Sequence, residues 1–160
     1  GDLPPLRFSY IYCMINHNQL SIIKRGENMQ YKKNRHALYK LTYHLVVVTK
    51  YRHQCINSAM QERLFEIARD LFEKWDCEII EINGTTDHLH ILFDAPPQIQ
   101  LSTAVNSFKS VSSRYIRKEF AEELKPYYWK PYFWSKSYMI LSAGGATIDV
   151  IKQYIENQDT

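Results

Sequence analysis

The stretch NGTTDHLHILFDAPP, Asn83 to Pro97, sets two histidines one residue apart inside an apolar run. A strand repeats its facing every second residue, so His88 and His90 point to the same side. Read alone, the pair fits two roles. It is either a pair of buried histidines satisfied by hydrogen bonds or two ligands of a metal ion. Neutral imidazoles suit manganese, zinc, iron or copper, whereas carboxylates and water suit magnesium. Two ligands do not complete a site, so the second role needs a third group from elsewhere in the chain.

Outward from that stretch, strands and helices alternate. CEIIEIN, from Cys77, is a strand before the turn, and HLHILF is the strand after it. Asn-Gly is a strong hairpin signal, although NGTTD is longer than a two-residue loop. Upstream, ALYKLTYHLVVVTKY is strand-rich, with Leu41, Tyr43, Leu45 and Val47 alternating with Thr42, His44 and Val46. In NSAMQERLFEIARDLFEKW, the residues Leu64, Ile67, Ala68, Leu71, Phe72 and Trp75 form one apolar stripe at helical spacing. Ser58 followed by Gln61 has the form of a capping box for that helix.

Downstream, a second helix is expected from near Ser102 to about Phe120, with Val105, Phe108, Tyr115 and Ile116 on its apolar side. KPYYWKPYFWSKS is aromatic and proline-broken, hence a loop. Its Trp129, Tyr132, Phe133 and Trp134 are candidates to stack on bases, but covering the core is the simpler task. SYMILSA is a fourth strand, ended by Gly144 and Gly145. Thr147 caps a last helix, and Asp149 suits its first turn. The order β-α-β-β-α-β plus one helix is the ferredoxin-like α+β plan, an antiparallel sheet with helices on one face.

At 160 residues, 45% hydrophobic and 23% charged, the chain has the size and composition of one globular domain. Residues 1–28 read as an extension of unassigned role, in which FSYIYCM is a candidate edge strand, and residues 29–160 as the domain. No apolar run approaches the roughly 20 residues that span a bilayer, so the expected location is cytoplasmic, with no membrane partner. Cys13, Cys55 and Cys77 are odd in number and lack C-x-x-C spacing, against a disulfide framework or a zinc knuckle. The net charge of +3 is unevenly spread. Lys24 to Arg52 holds eight basic residues and one acid, Leu101 to Lys136 seven and three, and the segment between, Gln54 to Gln100, three and nine. Two basic blocks around an acidic one suit a polyanion-binding face, although charges also simply solvate helices. Lys50, Tyr51 and Arg52 after the first strand, and Lys109, Arg114 and Arg117 on the second helix, are the candidates to meet the phosphates of such a polyanion.

The last helix, IDVIKQYIENQ, offers a candidate for the third ligand. Ile148, Ile151 and Ile155 form its buried stripe, and Tyr154 and Gln158, four apart, stack at the edge of that stripe. Gln158 has a carbonyl oxygen to give a metal, and Tyr154 stands one turn away. Each also has a plainer role: most of the 12 tyrosines must pack or face water, and a terminal glutamine is usually solvated.

DHLHILFDAP, followed by WSKSYMILSAGG and VIKQYIENQ, resembles the single-tyrosine HUH transposases of small insertion sequences, the IS200-like family. YHLVVVTKYR and FKSVSSRYIRKEF extend the likeness from about Arg35 to Gln158. The resemblance implies a transposase that cuts and rejoins single-stranded DNA, with His88, His90 and Gln158 as metal ligands and Tyr154 as nucleophile. It implies a divalent ion, Mg²⁺ or Mn²⁺, and DNA hairpins at the element ends. It also implies a homodimer with composite active sites, whose last helix docks on the partner. Gly144 and Gly145 would then be a hinge, though a glycine turn is the simpler reading of those residues alone. Asp87 is a candidate to orient an imidazole, or a turn residue before a strand. Two other readings are a hairpin-binding repressor of the same fold, to which an intact His88, His90, Tyr154 and Gln158 set is superfluous, and a relative acting on repeated extragenic palindromes. A cupin-like metal enzyme also uses His-x-His, but the helix-rich element order speaks against it.

Overall fold

The computed structural model describes residues 32–33, 38–143 and 154–157. Residues 1–28, Gly144, Gly145, Thr147, Asp149 and Gln158 lie outside the described residues. A short ribbon pairs β1 (Lys32–Lys33) with β2 (Leu38–Tyr39). Then follow β3 (Thr42–Val48), α1 (Ser58–Lys74), β4 (Glu78–Gly84), β5 (His88–Asp94), α2 (Leu101–Glu119), a single turn α3 (Ala121–Leu124) and β6 (Met139–Ser142). The main sheet has the order β4-β5-β3-β6, and every pairing in it is antiparallel. This is the β-α-β-β-α-β arrangement expected of the ferredoxin-like α+β plan.

Alternation along the strands divides the sheet into two faces. Leu45 and Val47 of β3 and Leu89, Ile91 and Phe93 of β5 pack with Leu64, Ala68 and Phe72 of α1 and Phe108 and Ile116 of α2 in one core. Phe72 lies at its centre, edge-on to Phe93 with ring centroids 4.9 Å apart and to Phe108 at 6.1 Å. Edge-to-face contact adds about 0.5–1.5 kcal/mol per pair to the burial itself. Phe133 and Trp134 from the loop before β6 close the same core, while Trp129 is 88% exposed.

Two local expectations are corrected. Asn57, not Ser58, caps α1: its side chain accepts the amide of Met60, and Ser58 is the first helical residue. Asparagine is among the best N-cap residues, so the cap moved back one position. Gln61 is thereby released from a capping box, and its amide donates to the carbonyl of Gly84 at 3.1 Å. A Cβ at Gly84 would meet that amide at 3.0 Å, so the glycine of the hairpin also makes room for α1. On α2, Tyr115 is exposed beneath the guanidinium of Arg63, and Ser112 takes the buried place. Ser112 is satisfied there, donating to the carbonyl of Phe108 and accepting from the indole of Trp134.

Cys55 and Cys77 are free and buried. Among the described residues no helix is long and apolar enough to cross a membrane.

Candidate active site

The second face of the sheet carries the histidines. In the β3–β5 register His88 stands opposite Val48 and His90 opposite Val46. Residues directly opposite on antiparallel strands share a face. Val46, Val48 and Met139 form a small buried cluster there, and Leu141, Tyr154 and Ile155 pack against it. Residues 154–156 are helical. The sheet thus brings His88, His90 and Tyr154 to one face, opposite α1 and α2.

The two histidines differ in surroundings. The Nδ1 of His88 lies 2.7 Å from Oδ1 of Asp87 and 2.8 Å from Oγ1 of Thr85. Donation of Nδ1–H to the carboxylate leaves Nε2 as the lone pair. His90 is only 5% exposed, and its Nδ1 is buried without a hydrogen-bond partner. Burial, together with the neighbouring His44 and His88, pushes its pKa down to about 4. His90 is therefore neutral at pH 7, the form that binds metals. An orphaned ring nitrogen on one histidine and an unengaged one on the other fit a cation held between ligands. No cluster of three His, Cys, Asp or Glu able to hold a metal exists among the described residues. A third ligand of another type, such as the amide of Gln158, is what the reading requires.

Asp87 is built in. Burial alone would raise its pKa, but hydrogen bonds from His88, Thr85 and Arg52 outweigh that and hold it below the usual carboxylate range. Its Oδ2 accepts from Nε of Arg52 at 3.2 Å. Arg52 belongs to a 3₁₀ turn, Lys50–Arg52, in which Tyr51 (φ 59°) and Arg52 (φ 51°) are both left-handed. Left-handed backbone costs a non-glycine residue about 1–2 kcal/mol. The turn is held from outside: the hydroxyl of Tyr128 donates to the carbonyl of Lys50 at 2.6 Å, and the amide of Lys50 to the carbonyl of Phe133 at 2.8 Å. Lys50 lies over the rings of Tyr51 and Tyr132, and Tyr51 is 46% exposed.

Tyr154 is half-buried. Its hydroxyl donates to Oγ of Ser137 at 3.3 Å, and burial raises its pKa above the ordinary value despite that bond. It rests here as a phenol.

The basic candidates on α2 line a cleft with the loop before β6. Lys109, Arg114, Arg117 and Lys136 face it beside Tyr132 and Trp134. Lys109 is partly committed, for its ammonium donates to the carbonyls of Lys136 at 2.8 Å and Ser137 at 3.1 Å, and burial lowers its pKa. It ties down the segment that meets Tyr154. Two residues of this site escaped the sequence reading, His44 and Ser137. His44 is buried, with Nδ1 2.9 Å from Nε2 of His90. The alternation of β3 puts it on the face of Val46, but only the strand register makes it a diagonal neighbour of His90.

With this geometry in hand, the comparisons are specific. The profile of the family described as "Transposase IS200 like" matches residues 37–158. The ISDra2 transposase TnpA of Deinococcus radiodurans is 34% identical over 130 residues, 81% of this chain and 92% of its own length. The transposase for insertion sequence element IS200 of Salmonella typhimurium is 30% identical over 77% of this chain and 80% of its own. A crystal structure of a protein assigned as a transposase from Deinococcus radiodurans R1 superposes with a TM-score of 0.72 at 35% identity, covering 79% of this chain and 97% of the other.

Proposed function

The chain belongs to the IS200-like transposases, and from that premise we propose that it cuts and rejoins single-stranded DNA at insertion-sequence ends through a 5′-phosphotyrosine on Tyr154. The observation that carries this reading is the packing of Tyr154 on Val46, Val48 and Met139, the face from which His88 and His90 project. A nucleophile and two ligand histidines on one face are what a metal-assisted attack on a phosphodiester needs.

In this reading His88 offers Nε2, because Asp87 holds its other nitrogen, and His90 offers the unpartnered Nδ1. Gln158, four residues after Tyr154, supplies a carbonyl oxygen. A divalent ion held by these residues, Mg²⁺ or Mn²⁺, would supply positive charge for the scissile phosphate and help orient it. The oxygen of Tyr154 attacks phosphorus. A tyrosine–phosphorus ester forms, the bond to the 3′ oxygen breaks, and a free 3′-OH leaves. The phenolic proton, held on Tyr154 by burial, is given up as the new bond forms, and one proton is taken up by the departing 3′ oxygen, so the exchange balances. Attack by a second 3′-OH on the phosphotyrosine reverses the exchange and reseals the strand, so no ATP is consumed.

Hairpins at the element ends are the proposed DNA. Lys50, Tyr51 and Arg52 would meet one segment of it and the cleft with Lys109, Arg114 and Arg117 another, through phosphate contacts and stacking. Arg52 serves twice, since it also holds Asp87. Tyr154 packs on the histidine face of its own chain; in the homodimer that the family likeness implies, the tyrosine helix would take the same place on the partner's face, with Gly144 and Gly145 as the hinge. Co-refolding Tyr154→Phe with His90→Ala tests this. Random re-assortment with closed two-fold symmetry should restore cleavage to roughly a quarter of wild type. No recovery, with mixed dimers shown by tagging, would make the site belong to one chain.

The test of the function itself is incubation with labelled single-stranded element ends and Mg²⁺ or Mn²⁺. A covalent protein–DNA adduct is expected from the wild type. Tyr154→Phe keeps the ring and its packing, and should bind the hairpin and form no adduct. An adduct at the wild-type rate in that variant would remove Tyr154 from the role.

A further inference from the structure

We propose that His44 is a positioning residue of this site: its Nδ1 accepts the Nε2–H of His90 and so leaves the Nδ1 lone pair of His90 for the cation. The inference rests on the metal-binding reading of His88 and His90. Nδ1 of His44 and Nε2 of His90 are 2.9 Å apart, and the ring centroids 5.1 Å apart with planes 19° from parallel. A hydrogen bond of that length plus two ring radii accounts for the centroid spacing, so the rings meet edge to edge in nearly one plane. Face-to-face stacking would keep every pair of ring atoms farther apart than 2.9 Å. The contact is a directed hydrogen bond between rings that are 3% and 5% exposed.

Burial pushes the pKa of both rings down, so the contact joins two neutral imidazoles. A neutral imidazole has one N–H and one lone pair. Two arrangements therefore satisfy the contact. In one, His90 donates from Nε2 and its Nδ1 is a bare lone pair. In the other, His44 donates from Nδ1 and a hydrogen occupies Nδ1 of His90. Nδ1 of His90 and Nε2 of His44 are both buried without a hydrogen-bond partner. Without a cation, either arrangement leaves two unmet groups. A cation seated at His90 relieves only the first arrangement, because it takes the lone pair of Nδ1 and not an N–H. Asp87 does the same for His88, taking Nδ1–H and leaving Nε2. Each ligand histidine thus gives one ring hydrogen to a fixed acceptor and keeps its other nitrogen for the metal, the usual way a second partner sets a tautomer.

The test uses the full chain and two readouts. Long-range nitrogen–proton spectra of histidine-labelled wild type saturated with diamagnetic Mg²⁺ report the tautomer of His90, expected as Nε2–H. Calorimetric titration with Mn²⁺ then compares two variants whose fold is checked by circular dichroism. In His44→Asn, Oδ1 stands near the place of Nδ1 and accepts the same hydrogen, so affinity should stay within about threefold of wild type. His44→Leu removes the acceptor, and affinity should fall about ten- to a hundredfold. A packing role alone would not be rescued by asparagine. The inference is overturned if His90 is Nδ1–H, if His44→Leu binds as wild type, or if His44→Asn falls as far as His44→Leu. If His44→Leu does not fold, the wild-type tautomer decides. Wild type that binds no Mn²⁺ overturns the metal reading itself, whereas wild type that binds beside an indifferent His44→Leu overturns only this inference.

Discussion

The two faces of the sheet are built from the same strands and obey different rules. On the helix side, Leu45, Val47, Leu89, Ile91 and Phe93 meet α1 and α2 with no polar side chain among them. Ser112 and Cys55 in this core are partnered: Ser112 bonds to Phe108 and Trp134, and Sγ of Cys55 lies 3.9 Å from the hydroxyl of Tyr128, while at its border His53, stacked on Tyr128, keeps Nδ1 unpartnered. On the other side, one residue along each strand, Val46 and Val48 share the surface with His44 and His90, each of which keeps one ring nitrogen buried and unpartnered. Burying an unsatisfied polar group costs on the order of 1–3 kcal/mol. A face selected for stability alone would have replaced these rings with apolar ones. The helix side holds the fold, and the histidine side holds unmet polar atoms that the proposed cation would answer.

That contrast can be broken by mutation, and the largest effects fall on activity. His88→Ala and His90→Ala should each abolish metal-dependent cleavage while circular dichroism stays that of the wild type. Unfolding of either variant at room temperature would mean that the face is structural. On the helix side the reverse holds. Phe72→Ala should cost about 3–5 kcal/mol in chemical denaturation, yet leave Mn²⁺ affinity per folded molecule unchanged. Lost affinity at intact fold would couple the two faces.

The smallest effect concerns the thiols of the helix side. Burial pushes the pKa of Cys55 up to about 11, well above that of an ordinary thiol, the Tyr128 contact offsetting only part of that. An acid whose folded pKa is raised contributes stability that is complete below the unfolded value and lost as pH climbs through the folded one. Between pH 9 and 11 the unfolded chain sheds this proton first, a loss on the order of 2 kcal/mol by linkage. The slope of unfolding free energy against pH in that window should flatten in Cys55→Ala. An unchanged slope would mean that Cys55 titrates as though exposed.

Much of this was legible from the residues. Leu64, Ala68 and Phe72 announced α1 by spacing, and His88 and His90 their common face by the period of a strand. What depends on competition between near neighbours was not: Asn57 outbid Ser58 for the cap, and Ser112 displaced Tyr115 from the core because Trp134 satisfied its hydroxyl. His44 was invisible for a different reason. Its meaning lies in a diagonal contact across β3 and β5, and register is a property of the folded pair. The third ligand was reached through family likeness, and Gln158 lies outside the described residues.

The central claim is that the histidine face works through a covalent bond to Tyr154. The most direct measurement is to trap the adduct with single-stranded element ends and Mn²⁺, digest it with protease and nuclease, and locate the nucleotide by mass spectrometry. The account predicts a phosphodiester-linked nucleotide on the peptide containing Tyr154, absent when the ion is chelated. A nucleotide on any of the other tyrosines, or cleavage with no protein-bound nucleotide, would contradict it.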